Sequence, residues 1–277
     1  MKFTKMHGTG NDYVYINCLE EDIKNRPALA RKISDRHFGV GSDGLICICP
    51  SETADFRMDM YNLDGSASGM CGNGIRCVGK YVYDRGLTDK TELVIETGAG
   101  LREIKLNVED GKVASVRVNM GTPEFDAMRV PVISDNIDYV NHPLDVDGTE
   151  YIITALSVGN PHCVIFVDDA AAVKLEEIGP KIEKHPAFPE GANVEFIQVL
   201  DREHLRMRVW ERGSGVTLAC GTGATASVCA ASLLWKTGDR VTVTLDGGDL
   251  DIEWDREANT LYMTGPAEMV FEGEYFI

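Results

Sequence analysis

Long apolar runs, basic clusters and paired metal-type cysteines are all missing from this chain of 277 residues. No uninterrupted apolar stretch approaches the roughly 20 residues that span a bilayer. The opening Met1-Lys2-Phe3-Thr4-Lys5-Met6-His7 has no apolar core leading to a small-residue cleavage site, so no secretory signal is expected. Lysine and arginine total 27 against 44 acidic residues, a formal net charge of -17, and no basic run could track a phosphate backbone. Neither nucleic acid nor membrane is an expected partner. The C-x-x-C of thiol oxidoreductases is absent, and Cys47-Ile48-Cys49 and the Cys71 to Cys77 interval lack zinc-ligand spacing with partners elsewhere. Gly8-Thr9-Gly10 does not continue into a dinucleotide fingerprint after a strand. Eight cysteines scattered through a chain with 44% hydrophobic and 26% charged residues read as thiols of a reduced, cytoplasmic protein with an ample core.

What is present is a duplication. Met70-Cys71-Gly72-Asn73-Gly74 and Ala219-Cys220-Gly221-Thr222-Gly223 stand about half the chain apart, each at the mouth of a helical pattern. Nine residues before the cysteines lie Tyr61-Asn62 and Trp210-Glu211, with glycines 65 to 69 and 213 to 215 between. A second duplicated signal opens each half: Gly10-Asn11-Asp12 and Gly159-Asn160-Pro161-His162.

Alternating patterns predict strands over 3–6, 13–17, 45–49, 56–61, 93–96, 101–108 and 113–120 in the first half. In the second they fall over 151–157, 163–167, 194–200, 204–210, 241–245, 250–254, 261–264 and 267–272. Helices are expected over Pro27–Arg36, Gly72–Asp84 (stopped at Gly86), Leu175–Lys184 and Gly221–Lys236 (closed by Gly238). The last is small or apolar on nearly every face, the composition of a helix buried all round. The expected fold class is α+β: two pseudo-symmetric domains, 1–120 plus 265–277 and 121–264. Each is a mainly antiparallel, curled, barrel-like sheet around a central helix, with the active site in the cleft between them.

A helix N-terminus favours a thiolate over the ordinary thiol value near 8.5, and the glycines after Cys71 and Cys220 let backbone N–H groups approach a carboxylate. Each half thus offers a proton carrier and an anion cradle. Two such thiols could take a proton from one face of an amino acid α-carbon and return one to the other. Cys18, Cys47, Cys49, Cys77, Cys163 and Cys229, within apolar patterns, read as packing groups. Two readings stand for His162, a packed imidazole or one that tunes a thiol. Two also stand for Glu211: a solvated strand-end acid, or a group that exchanges protons with Cys220 or binds a substrate ammonium. Arg212 suits a bidentate carboxylate contact.

These residues resemble the diaminopimelate epimerases. The likeness is carried by Lys5 to Asp12, Met70 to Cys77, Gly159 to Cys163, Glu211 to Gly215, Ala219 to Ala224 and Met263 to Ala267, in order along nearly the whole chain. The resemblance implies a homodimeric epimerase, independent of pyridoxal phosphate and metal, that interconverts LL- and meso-2,6-diaminopimelate for lysine and peptidoglycan precursors. It implies Cys71 and Cys220 as acid/base thiols, donor and acceptor in the LL to meso direction, tuned by His162 and Glu211 respectively. It implies that the amides of Gly72, Asn73, Gly221 and Thr222 hold the reacting carboxylate, and that Asn11, Asn62, Asn160, Asn193, Glu211 and Arg212 contact the substrate's other polar groups. The chain departs from the family pattern at Gly44, where some members have glutamine, and in Val216-Thr217-Leu218, which lacks an acidic residue. The alternatives are a related cofactor-independent racemase of the proline type, or an amino-acid-binding or thiol-redox protein that does no such catalysis.

Overall fold

The computed structural model describes residues 1–19 and 22–276. Glu20, Glu21 and Ile277, which the sequence reading includes in the first half, lie outside the described residues. The chain forms two compact units, Met1–Asn119 with Thr264–Ile277, and Met120–Met263.

In chain order the elements are β1 (Lys2–Gly8), β2 (Asn11–Asn17), α1 (Arg26–Ile33), β3 (Gly44–Cys49), β4 (Phe56–Asn62), β5 (Ala67–Ser68), α2 (Gly72–Asp84), β6 (Glu92–Thr97), β7 (Gly100–Glu109) and β8 (Lys112–Gly121). There follow β9 (Tyr139–Val146), β10 (Thr149–Ser157), β11 (Pro161–Phe166), α3 (Leu175–Glu183), β12 (Asn193–Val199), β13 (His204–Glu211) and β14 (Gly215–Val216). The chain ends with α4 (Gly221–Leu233), β15 (Arg240–Leu245), β16 (Gly248–Asp255), β17 (Thr260–Gly265) and β18 (Glu268–Glu274).

The same pairing series occurs in both units. In the first, β1 pairs antiparallel with β2, β2 parallel with β3, β3 antiparallel with β4, β4 parallel with β6 and β6 antiparallel with β7. In the second, β10, β11, β12, β13, β15 and β16 repeat that alternation. The outer neighbours correspond too, β18 on β1 and β9 on β10. Matching registers make Tyr13 the counterpart of His162, Gly44 of Asn193, Ile46 of Glu195 and Asn62 of Glu211.

Each sheet packs round its cysteine-led helix. Helix α4, with no residue from Gly223 to Ser232 exposed, touches β10, β11, β12, β13, β15 and β16. Helix α2 lies against β1, β2 and β7 through Ile75, Val78 and Val82. At Gly79 an added Cβ would stand 2.8 Å from both Ile104 and Leu106, so glycine sets the helix-to-sheet spacing. The opposite faces are closed by α1 and α3, with Cys18, Cys47 and Cys49 in the first of these cores and Cys163 in the second.

Three differences from the sequence-based expectation have local causes. Helix α1 ends at Ile33, not Arg36, because Asp35 Oδ1 accepts the amides of His37 and Phe38 at 2.7 and 2.8 Å and draws the backbone into a turn. Strand β9 carries Pro143 and a left-handed Asn141, signals that read as loop; Pro143 is tolerated because β9 pairs with β10 at the border of the unit's series. Helix α4 stops at Leu233 rather than running to Lys236. Its end is closed by Lys236 N–H donating to Ala231 O at 2.9 Å, with Trp235 at φ +59° in the left-handed position. The counterpart closure of α2 has Leu87 N–H on Val82 O and glycine, Gly86, at that position.

Trp235 is 83% exposed and gains little from burial to offset its backbone strain. We expect Trp235→Gly to raise stability by about 0.5–1 kcal/mol, read from the midpoint of denaturant unfolding by circular dichroism.

Candidate active site

Both cysteines occupy the N-cap position of their helices in extended backbone, Cys71 at φ -130°, ψ 120° and Cys220 at φ -122°, ψ 110°. The sulfur takes the place of the usual serine or aspartate oxygen: Gly74 N–H donates to Cys71 Sγ at 3.3 Å, and Gly223 N–H to Cys220 Sγ at 3.4 Å. At the third helical position a side chain stands close across from each glycine. A Cβ on Gly74 would stand 2.7 Å from Ile46 Cδ1, and one on Gly223 would stand 2.7 Å from Glu195 Oε1.

In the first unit, Cys71 Sγ donates to Asn11 Oδ1 at 3.3 Å, and Asn73 Nδ2 donates to the same oxygen at 3.4 Å. Asp43 sets the orientation of that amide by accepting Asn11 Nδ2 at 2.7 Å and Asp12 N–H at 3.1 Å. Arg36 Nη2 bridges Asp43 Oδ1 and Asp12 Oδ1, each at 2.8 Å, and buried Lys5 pairs with Asp12. Burial, helped by Asp12, pushes the Asp43 carboxyl up. Tyr13 lies beside Cys71 and Asn11; burial first, then the charges of Cys71 and Asp43, hold its phenol well above the ordinary value, so it remains a neutral hydroxyl. Beneath the helix start, fully buried Arg76 donates to Asn73 Oδ1 at 2.9 Å, Pro266 O at 3.0 Å and Thr9 Oγ1 at 3.3 Å. Asn62 pairs across the strands with Gly44, its amide donating to Ser66 Oγ at 3.0 Å. Gly44 has no room for a side chain, since a Cβ there would strike Tyr61 O.

The second unit gathers a more acidic set. Glu211, at the end of β13, accepts from Thr217 Oγ1 and stands near Cys220. Burial pushes the Glu211 carboxyl up. Cys220, 5% exposed, lies 3.5 Å from Thr222 Oγ1. Its thiol is held well above the ordinary range by burial first and then by the negative charges of Glu211 and Glu195. The thiolate-favouring effect expected of a helix N-terminus is therefore outweighed at Cys220. His162 is fully buried, with Nδ1 2.7 Å from Glu195 Oε1 and Nε2 2.9 Å from Asn160 Oδ1. Asn193 ties neighbouring segments together, donating to Pro161 O at 3.1 Å and accepting Arg212 N–H at 3.0 Å. The Arg212 guanidinium donates to Glu190 O at 2.9 Å.

Tyr13, Asp43, Glu195 and Thr217 were not singled out from the sequence. Extending the duplicated Gly-Asn pairs by two residues would have set Tyr13 against His162, and the strand register sets Ile46 against Glu195. Asp43 and Thr217 carry no comparable signal. Among the described residues, no group of three or more histidine, cysteine or acidic side chains could hold a metal ion.

The fold is shared with solved proteins that include an epimerase. A hydroxyproline epimerase from Agrobacterium vitis superposes with a TM-score of 0.70 at 15% identity, covering 99% of this chain and 90% of that one. A Bacillus anthracis protein of the PhzF phenazine-biosynthesis family gives 0.70 at 19%, covering 100% and 99%. Sequence narrows the class: residues 3–125 and 154–270 match the model of the family described as diaminopimelate epimerase. A diaminopimelate epimerase from Acetivibrio thermocellus is 54% identical over 274 residues, 99% of this chain and 98% of that protein. One from Methanococcus maripaludis strain C5 is 50% identical over 274 residues, 99% of both. The chain belongs to the diaminopimelate epimerase family.

Two outcomes follow from this geometry. Alanine at an internal helical glycine normally gains about 1 kcal/mol, but Gly223→Ala should destabilise by about 1–2 kcal/mol in denaturant unfolding, because its Cβ would overlap a carboxylate pinned by His162. Glu211→Gln removes a negative charge beside Cys220, so the thiolate should form at lower pH. Alkylation of Cys220 by iodoacetamide, followed by peptide mass spectrometry, should shift to lower pH in that variant.

Proposed function

We propose that this chain interconverts LL- and meso-2,6-diaminopimelate by transferring the α-proton between two cysteines. The observation that carries this reading is the pair of cysteine N-caps, in a chain about half identical over its whole length to diaminopimelate epimerases. In the LL to meso direction the Cys220 thiolate takes the α-proton, the Cα–H electron pair passes into the substrate carboxylate system, and the Cys71 S–H delivers a proton to the opposite face. The reverse reaction exchanges the roles.

Glu211 makes Cys220 usable as a base. Its carboxylate stands near the thiol and can take up the thiol proton, after which the sulfur carries the charge and can take the α-proton. His162 tunes Cys71. The amides of Gly72, Asn73, Gly221 and Thr222 hold the reacting carboxylate and stabilise the charge that develops on it. Asn11, Asn62, Asn160, Asn193, Glu211 and Arg212 bind the remaining amino and carboxylate groups, so that recognition of the non-reacting centre positions the reacting one. No cofactor enters this scheme, and the reading places the enzyme in the cytoplasm as a homodimer, feeding lysine and peptidoglycan precursor synthesis.

The test is proton NMR of LL-diaminopimelate with reduced protein in deuterium oxide. Wild type should erase the α-proton signal and produce the meso isomer. Cys71→Ala and Cys220→Ala should each lower epimerisation by at least ~100-fold, the scale of a lost acid/base group. Retention of turnover in either variant, or equal turnover of proline by wild type, would overturn this assignment.

A further inference from the structure

Glu195 is a fully buried acid that the proposed chemistry leaves without a task. It lies on β12, with no exposure at any atom of its side chain. One oxygen, Oε1, is 2.7 Å from His162 Nδ1, while Oε2 has no hydrogen-bond partner among the described residues. Burying a carboxylate with half of its hydrogen-bonding capacity unused is unfavourable. Packing does not require it. The matching position in the first unit is Ile46, which meets Gly74 at the same 2.7 Å virtual contact that Glu195 makes with Gly223. An aliphatic side chain fits this socket, and the second unit has a carboxylate there instead.

The substitution is paired with another. Where the first unit has Tyr13, the second has His162, so acid and imidazole occur together in one unit and neither occurs in the other. We propose that Glu195 is a positioning residue for His162. Its carboxylate accepts the Nδ1–H, which fixes the ring's rotation and directs Nε2 to Asn160 Oδ1, an acceptor, so that the Nε2 proton is the one available for exchange. Gly223 supplies the clearance that lets the carboxylate reach the ring. This inference rests on the reading that His162 tunes a reactive thiol.

The test compares Glu195→Ile, which copies the first unit, with the isosteric Glu195→Gln. It measures kcat and KM for LL-diaminopimelate together with nitrogen-15 NMR of the His162 ring. Wild type should show a protonated Nδ1. Glu195→Ile should lose kcat by about 10- to 100-fold, within the range of an acid/base contribution, with KM changed less than about threefold, and should alter the Nδ1 signal. Glu195→Gln, whose Oε1 can still accept the Nδ1–H, should keep more of both. Wild-type kcat in folded Glu195→Ile would overturn the proposal. So would a fall in kcat with ring signals unchanged, since Glu195 would then act only through its charge on Cys220. If Glu195→Ile fails to fold, Glu195→Met, which likewise offers no oxygen, takes its place. Wild-type turnover in His162→Gln would instead remove the role given to His162, and the ring spectra of the Glu195 variants would still decide whether Glu195 holds the Nδ1 proton.

Discussion

The hydrogen bond from a helical amide back to a cysteine sulfur organises each unit. A sulfur accepts weakly, so this cap holds only where the chain can bring the third amide close, and glycine at that position permits it. The same glycine leaves room on the far side for Ile46 or Glu195. One small residue therefore satisfies the cap, the packing of the helix and the approach of backbone N–H groups to the space beside the thiol.

Upon this common frame the two thiols are given unlike surroundings. Cys71 faces a neutral phenol and an amide oriented by Asp43, whereas Cys220 is deeply buried between two carboxylates. The electrostatics of an N-terminal helix dipole are similar in the two cases, so the side chains around the sulfur, and not the helix, make the difference.

Much of this was legible in the sequence where the pattern was periodic or repeated. The Cys71 helix ends where its glycine stop signal stands, and the strands that carry Asn62 and Glu211 were readable from alternation. The end of α4 was misread because a tryptophan occupies the left-handed closing position, which sequence reasoning assigns to glycine. Strand β9 was missed because proline and asparagine at an edge look like a loop. The duplicated motifs, with both cysteine caps, stand out by spacing, whereas Asp43 and Glu195 do not, because each meets its partner, Asn11 or His162, only across the fold. Cys220 was expected to be an acidified thiol; burial among acids, visible only after folding, reverses the direction.

The matching registers of the two sheets show one pattern of pairing used twice with different side chains on it. Tyrosine against histidine, isoleucine against glutamate and asparagine against glutamate stand at matching stations of that pattern. A chain built from two copies of the first half would keep both cysteine-capped helices and every strand pairing that supports them. It would hold neither buried carboxylate, and its two sulfurs would be equivalent.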